Sequence, residues 1–277
     1  MKKFIVDKEI ILYEFLKNKL NNLSKNNIKN ILHDKYVYVN NKCTSKYDYL
    51  LKKDDVVEIK STTDLDIIYE DNDIIVVNKP YGLLTISTTK EQEKTLYSKV
   101  SNYVKRNNKN NKIFIIHRLD KDTSGIVMFA KNEKIKNLYQ NNWNDIVINR
   151  CYYAIVNGTL KNKSGIIKSY LIEDKNMIVH SSKNKDGKLA ITEYNVLKEK
   201  DNLSLLDINI KTGRKNQIRV HMKENNTPIL GDTKYGIKDK SLKRMYLHAY
   251  KLQLTNPKTR KNLIFETDIP EEFIKLI

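Results

Sequence analysis

Cysteine is nearly missing from this chain: Cys43 and Cys151 are the only two in 277 residues. Two distant thiols supply neither a disulfide framework nor paired metal ligands, so a reducing compartment, the cytoplasm, is expected. Long apolar runs are missing as well. None approaches the roughly 20 residues needed to span a bilayer, and the first residues lack the apolar stretch of a secretion signal, so no membrane role is expected. There is no Gly-x-Gly-x-x-Gly or Gly-x-x-x-x-Gly-Lys, which excludes the usual nucleotide-phosphate cradles, and no Gly-x-Ser-x-Gly elbow. His117, Asp120, Asp122, His221 and His248 do not fall at the spacing of His-x-x-x-His ligand pairs, so no metal is expected.

Negative charge is scarce too. Asp and Glu number 33 against 51 Lys and Arg, for a net charge of +18 and a pI near 9.5. That excess is the electrostatic footprint of a protein that meets a polyanion, most simply nucleic acid. Lysine and asparagine abound throughout, which a biased codon usage would also produce. Arginine is another matter, with only Arg106, Arg118, Arg150, Arg214, Arg219, Arg244 and Arg260 present. Where lysine is the common cation, an arginine suggests a site that needs a planar, bidentate, permanent charge. Hydrophobic content of 40% with 17 tyrosines is enough for a folded core, and the length suits one large domain plus a small one.

Residues 1–62 read as the small unit. Leu12, Phe15, Leu16 and Leu20 recur at helical spacing, and Ser24 opens a second helix with Ile28, Ile31 and Leu32 inward. Lys25 and Lys29 fall one turn apart on its outer face. Tyr36–Val39, an Asn40-Asn41 turn and Val56–Ile59 follow as strands. The first 60 residues hold 13 lysines against 8 acidic residues.

A polar link at 61–64 leads to residues 63–277, the large unit. Leu65–Tyr69 and Ile74–Val77 read as a hairpin, and Asn78-Lys79-Pro80-Tyr81-Gly82-Leu83 as a Pro/Gly turn. One short helix lies near Leu96–Val104. Then comes the most telling run, Ile113–Ala130: apolar residues, a polar insert His117-Arg118-Leu119-Asp120-Lys121-Asp122-Thr123-Ser124-Gly125, and apolar residues again. It predicts two buried strands joined by a charged loop. Later strands are expected near Cys151–Val156, Gly165–Ile172, Met177–Val179, Ala190–Leu197 and Leu206–Ile210, with a helix at Gln217–Lys223. Many strands and few helices predict an α+β domain on a largely antiparallel or mixed sheet.

Charges at the ends of buried strands are costly unless paired or used. Asp120 stands out for this reason. A partly buried aspartate beside an arginine stays ionised, and a carboxylate shielded from water can attack an electrophilic carbon. In RNA that carbon is the anomeric carbon of a nucleotide. A structural partner for Arg118 or Arg219 is the blander reading of the same residue.

His117–Gly125 resembles the signature of the RluA-type pseudouridine synthases. The likeness continues through Asn78–Gly82, Tyr152–Gly158, Thr212-Gly213-Arg214-Lys215-Asn216-Gln217-Ile218-Arg219-Val220-His221, Pro228–Asp232 and Leu247-His248-Ala249, in family order over about 65–270. The resemblance implies a cofactor-free isomerisation of uridine to pseudouridine within RNA. It implies Asp120 as the catalytic aspartate, attacking the sugar or assisting elimination through a glycal. Tyr152 would pack on the base and help remove its carbon-5 proton, and Arg219 would pair with Asp120. It further implies that the base is flipped out, with Arg118 filling the vacated space. Lys79 and Arg214 would contact phosphates or support the loop. Asn216 stands where the family usually has histidine.

Residues 10–60 resemble the small RNA-binding domain first described in ribosomal protein S-four, on Leu23-Ser24-Lys25, Tyr36–Lys42 and Leu51–Ile59. Lys25 replaces its usual arginine, and Asn41 the glycine of its turn. That likeness implies RNA contact by the second helix, Lys25 and Lys29 included. It favours ribosomal RNA of the large subunit as partner, with transfer RNA as alternative; a monomer is the default expectation, on which the sequence is silent. A non-catalytic RNA-binding or ribosome-assembly factor, and a metal-dependent nuclease using His117, Asp120 and Asp122, are the rival expectations.

Overall fold

The structure is a computed structural model that describes residues 2–21, 23–33, 35–59, 65–87, 95–106, 108–184, 186–237, 239 and 241–277. The polar link at 61–64, and with it the division expected at 62/63, lies outside the described residues. The chain forms two compact units that interleave along the sequence. One comprises 1–78, 97–116 and 128–136; the other comprises 79–96, 117–127 and 137–277.

In the first unit, β1 (Lys2–Ile5), β2 (Ile10–Ile11), α1 (Leu12–Lys19), α2 (Lys25–His33), β3 (Val37–Val39), β4 (Lys42–Thr44), β5 (Leu50–Leu51) and β6 (Val56–Ile59) come first. Their sheet runs β1-β6-β3-β4, antiparallel throughout, with β2 and β5 paired apart from it. The apolar residues read at helical spacing are those that go inside: Leu12, Phe15, Leu16, Leu20, Ile28 and Leu32 pack with Val37, Val39, Val57 and Ile59. Each such burial is worth about 1.5–3 kcal/mol, which holds two short helices that would melt alone. Asn40 and Asn41 carry φ of 48° and 66°, the left-handed pair that a two-residue hairpin demands. Asparagine tolerates that region, so the missing glycine costs little. Asn40 also takes the Val56 amide and donates to Asp55, fixing the turn to β6.

The same unit holds β7 (Asp66–Glu70), nearly all of β8 (Ile74–Lys79), most of α3 (Leu96–Lys105), β9 (Phe114–Ile115) and the end of β10 (Ser124–Ala130). Asp71 closes the expected β7–β8 hairpin by accepting the amides of Asp73 and Ile74. The four-residue strand expected at 113–116 shrinks to Phe114–Ile115, paired with Phe129 and Ala130. Ile113 and Ile116 are buried outside it, because the chain leaves the ladder to form the charged loop. All seven residues of β10 are buried; five are the expected apolar run Ile126–Ala130, and the strand begins earlier, with Ser124 and Gly125 of the polar insert.

The second unit adds α4 (Glu133–Asn141, shared with the first unit), α5 (Trp143–Ile146), β11 (Val147–Asn157), β12 (Ser164–Glu173), β13 (Val179–Ser181), β14 (Lys188–Lys200), β15 (Leu203–Ile210), α6 (Gln217–Glu224), β16 (Leu247–Thr255), β17 (Asn262–Glu266) and α7 (Glu271–Ile274). Its sheet runs β13-β12-β14-β15-β11-β16, antiparallel, with β17 on the outer side of β16. The start of β10 joins β16 in parallel through Ser124–His248 and Gly125–Ala249, which makes the sheet mixed. Ile218 and Met222 of α6 lie in one apolar cluster with Ala154, Val156, Leu206, Ile208 and Leu247 of the central strands.

Candidate active site

The charged loop is held residue by residue. Thr85 clamps Leu119 on both sides, its hydroxyl donating to the Leu119 carbonyl at 2.8 Å and accepting the Leu119 amide at 3.3 Å. The Thr123 amide donates to the Asp120 carbonyl at 3.2 Å. Lys79, fully buried, spends its ammonium on three carbonyls: Leu83 at 2.7 Å, Lys121 at 2.9 Å and Pro80 at 3.0 Å. Of the two places expected for Lys79, against phosphate or in support of the loop, this geometry fits the second, because a buried ammonium with three acceptors has no face left for a phosphate. Its work is to tie the turn at 80–83 to the loop at Lys121. Burial pulls its pKa down to about 7, against the attraction of Asp122 and Asp120.

Beyond the loop, Gly125 has φ of +119°, and a Cβ there would fall 2.2 Å from the Ala249 carbonyl oxygen. Only glycine lets β10 approach β16 so closely. Ser124 is more than a turn residue. Its hydroxyl takes a hydrogen bond from Arg244 Nη2 at 2.6 Å and meets His248 Nδ1 at 2.8 Å, while His248 Nε2 meets the Thr267 hydroxyl. His221 is likewise placed between the Thr192 and Ser169 hydroxyls. Burial pushes both imidazoles down to about 4, so both are neutral supports.

Arg219 meets Asp120, but not as its main partner. Its Nη1 lies 3.4 Å from Asp120 Oδ2, a long contact. Its Nε and Nη2 bond Asp232 Oδ2 and Oδ1 at 2.7 and 2.8 Å, the parallel fork that makes arginine–carboxylate pairs strong. Asp232 is wholly buried, whereas the Asp120 side chain is 40% exposed. The expected pairing with Asp120 is therefore the weaker half of a triad, and Asp120 is partly buried as expected, with 40% of its side chain open to solvent. Burial alone would raise the Asp232 pKa. Arg219 and the amides of Tyr235 and Lys234 outweigh it and hold the carboxyl below its ordinary range.

Asn216 completes this arrangement. It adopts φ of 54° just before α6, again a left-handed position that suits asparagine. Its Oδ1 accepts from Arg219 Nη1 at 3.1 Å and its Nδ2 donates to the Tyr235 hydroxyl at 3.1 Å. The Tyr235 ring lies 5.0 Å beneath the Arg219 guanidinium. Gln217 fixes the preceding loop, accepting from Thr212 and the Arg214 amide and donating to Ile191 and Thr192.

Tyr152 reaches the site by a different route. On β11 it pairs with Ala249, the residue that also pairs with Gly125, so one strand separates it from the end of the Asp120 loop. Two strand spacings put these backbones about 10 Å apart. A register shift between Cys151 and Tyr152 leaves Tyr250 as the extra residue on β16. Such bulges re-aim side chains at sites. Tyr153 turns to the other face and stacks on Tyr250 with ring centroids 3.9 Å apart. Burial pushes the Tyr152 phenol up to about 12, with Arg150 opposing and Asp120 adding to the shift. At neutral pH it is a protonated phenol.

Arg118 is exposed on the loop two residues before Asp120, and Arg214 is exposed on the Thr212–Lys215 loop, where its Nε donates to the Leu189 carbonyl. Lys25 and Lys29 are exposed on α2 of the first unit. Asp120, Tyr152, Arg219, Asn216, Arg118 and Arg214 thus belong to the second unit, as do Asp232 and Tyr235, to which sequence reasoning gave no role there. The site brings together a half-exposed carboxylate with a fixed cation behind it, a neutral phenol and exposed guanidinium groups.

The comparisons with known proteins bear on the same residues. A family described as RNA pseudouridylate synthase matches residues 73–224, which include the Asp120 loop, Tyr152 and Arg219. The Bacillus subtilis protein named uncharacterized RNA pseudouridine synthase YlyB is 32% identical over 95% of this chain and 92% of its own. A Borreliella burgdorferi protein named ribosomal large subunit pseudouridine synthase D is 39% identical over 75% of this chain and 66% of its own. The solved structure of human RNA pseudouridylate synthase domain containing 4 shares the fold, with a TM-score of 0.62 at 23% identity over 76% of this chain and 90% of that one. Taken together, these matches make the chain a member of the RNA pseudouridylate synthase family, an isomerase acting on RNA.

Proposed function

We propose that this isomerase converts uridine to pseudouridine in large-subunit ribosomal RNA, with Asp120 as the nucleophile. The observation that carries the reading is the Asp120 carboxylate, 40% exposed yet held from behind by Arg219, which Asp232 fixes in turn. An oxygen aimed outward from a rigid loop is set for attack on a ligand that arrives from solvent.

The target uridine leaves its stack at a cost of about a few kcal/mol, and the exposed Arg118 takes its place. Asp120 attacks carbon 1 of the ribose, and the bonding pair of the C1–N1 bond departs with the uracil. The uracil turns in place, and its carbon 5 bonds to carbon 1 while the Asp120 oxygen leaves. The proton lost from carbon 5 is balanced by one gained at nitrogen 1, so the product is an isomer and no co-reactant is consumed. Because Asp120 is open in the free protein, water is excluded by the RNA that covers it. Tyr152 packs on the base as a neutral phenol, the form that burial favours, and its oxygen helps to pass on the carbon-5 proton.

Two observations favour ribosomal RNA of the large subunit as the target. Relatives from Borreliella burgdorferi and Neisseria meningitidis bear the name ribosomal large subunit pseudouridine synthase D. Residues 1–62 present Lys25 and Lys29 on an exposed helix face, which suits an RNA-binding module. The purified protein is expected to form pseudouridine in a large-subunit ribosomal RNA transcript, with chelator present and the RNA left uncut. Removing residues 1–62 is expected to leave the chemistry but weaken binding, with a salt slope shallower by about 0.7–0.9 for each phosphate that those residues neutralise. Product found only in transfer RNA, or cleaved RNA, would overturn this assignment.

A further inference from the structure

Arg150 lies on β11 two residues before Tyr152 and so faces the same side of the strand. Its guanidinium is packed over Gly213: a Cβ added there would lie 2.6 Å from Arg150 Nη1. The groups whose charges act on it are Tyr152 and Arg214, and its own charge acts on His117. None of these is an anion at neutral pH. Among the described residues no carboxylate forms an ion pair with it, and its buried Nε has no hydrogen-bond partner. A second guanidinium, Arg214, stands close enough to oppose its charge.

A half-buried guanidinium with an unmade hydrogen bond and a like charge nearby is an unfavourable arrangement in isolation. Every other buried arginine of this unit is provided for. Arg219 has Asp232 and Asp120, while Arg244 has Ser124, the Met245 carbonyl and the rings of Tyr81 and Phe273. An anion that is not part of the protein would offset the uncompensated charge through the rest of the guanidinium, the closed Nε taking no part. Resting on the synthase reading above, we propose that Arg150 and Arg214 form an anion subsite beside Tyr152 that binds a backbone phosphate of the RNA strand carrying the target uridine. Gly213 is part of the device, since its missing side chain lets the guanidinium lie against the Thr212–Lys215 loop. Planar, bidentate donors suit a phosphate better than lysine would, which accounts for arginine in a chain so rich in lysine.

The test uses the full chain in an Asp120→Asn background, so that the uridine stays unmodified, and a synthetic RNA hairpin carrying a uridine that the unaltered enzyme converts. Arg150→Gln is expected to weaken binding on the order of 10- to 100-fold and to lower the salt slope by about 0.7, the value for one phosphate on a single strand. Arg150→Lys keeps the charge and is expected to retain most of the slope. Gly213→Ala needs no strained backbone and displaces only the guanidinium, so it reports on the subsite should Arg150→Gln not fold; it is expected to weaken binding in the same direction. Unchanged affinity in the folded variants, or weaker binding at an unchanged salt slope, would overturn the subsite and leave Arg150 a packing residue. Failure of the unaltered enzyme to convert any uridine would instead overturn the synthase reading itself.

Discussion

Asp120→Asn is expected to abolish pseudouridine formation, with a rate loss on the order of 10⁴-fold or more, while RNA affinity stays within about threefold. The substitution keeps the size of the side chain and removes the charge that makes its oxygen a nucleophile. Little else should change. Among the described residues the Asp120 side chain makes one 3.4 Å contact, to Arg219, and is 40% exposed, so its ion pair contributes no more than about 0.5 kcal/mol. The loop is held by Thr85 and Lys79 through the backbone of Leu119 and Lys121, which the substitution does not touch. Single-turnover measurement of pseudouridine at saturating protein separates chemistry from binding. Full activity in Asp120→Asn or Asp120→Ala would rule out Asp120 as the nucleophile.

The second large effect is at Asp232, and it falls first on stability. Asp232→Asn leaves the Arg219 guanidinium buried without its neutralising partner, which costs about 3–5 kcal/mol. Activity falls as well, because Arg219 is released from the fork that aims its Nη1 at Asp120. Denaturant melts should show an earlier midpoint with an unchanged slope. The double variant Arg219→Met/Asp232→Leu should be less destabilised than either single change, since it leaves no lone charge inside. The acid limb provides an independent check. The folded pKa of Asp232 lies below its ordinary 3.8, so its contribution is complete above the unfolded value and disappears as pH falls through the folded one. Asp232→Asn should flatten that part of the stability profile. A loss below about 1 kcal/mol with an unchanged acid limb would mean that the fork does not hold the site.

What could be read from the sequence was what repeats or interrupts a pattern. The 3.6-residue spacing from Leu12 to Leu20 gave α1, the unbroken apolar run gave β10, and a charged insert between apolar segments marked Asp120. Asn40-Asn41 announced its own turn, because asparagine is among the few residues at ease with positive φ. What could not be read was set by register and by chain segments meeting from afar. Asp232 is visible as a carboxylate after Ile229-Leu230-Gly231, an apolar context that calls for a cation. That the cation is Arg219 depends on how α6 lies beside that turn. Lys79 looks like a loop lysine until the fold brings the Lys121 carbonyl to it, 42 residues away along the chain. The bulge that leaves Tyr250 unpaired depends on strand register, which no side-chain alternation encodes. Asn216, a departure from the family's histidine, is explained by its backbone: it fills a left-handed position and still bonds Arg219 and Tyr235.

Whether Asp120 drives uridine isomerisation in large-subunit ribosomal RNA is decided by a transcriptome-wide map of pseudouridine. The map is made in cells lacking this gene and in the same cells rescued with either the unaltered chain or Asp120→Asn. At least one pseudouridine in large-subunit ribosomal RNA should disappear with the gene, return with the unaltered chain and stay absent with Asp120→Asn. A map unchanged by the deletion, or restored by Asp120→Asn, would contradict this mechanism.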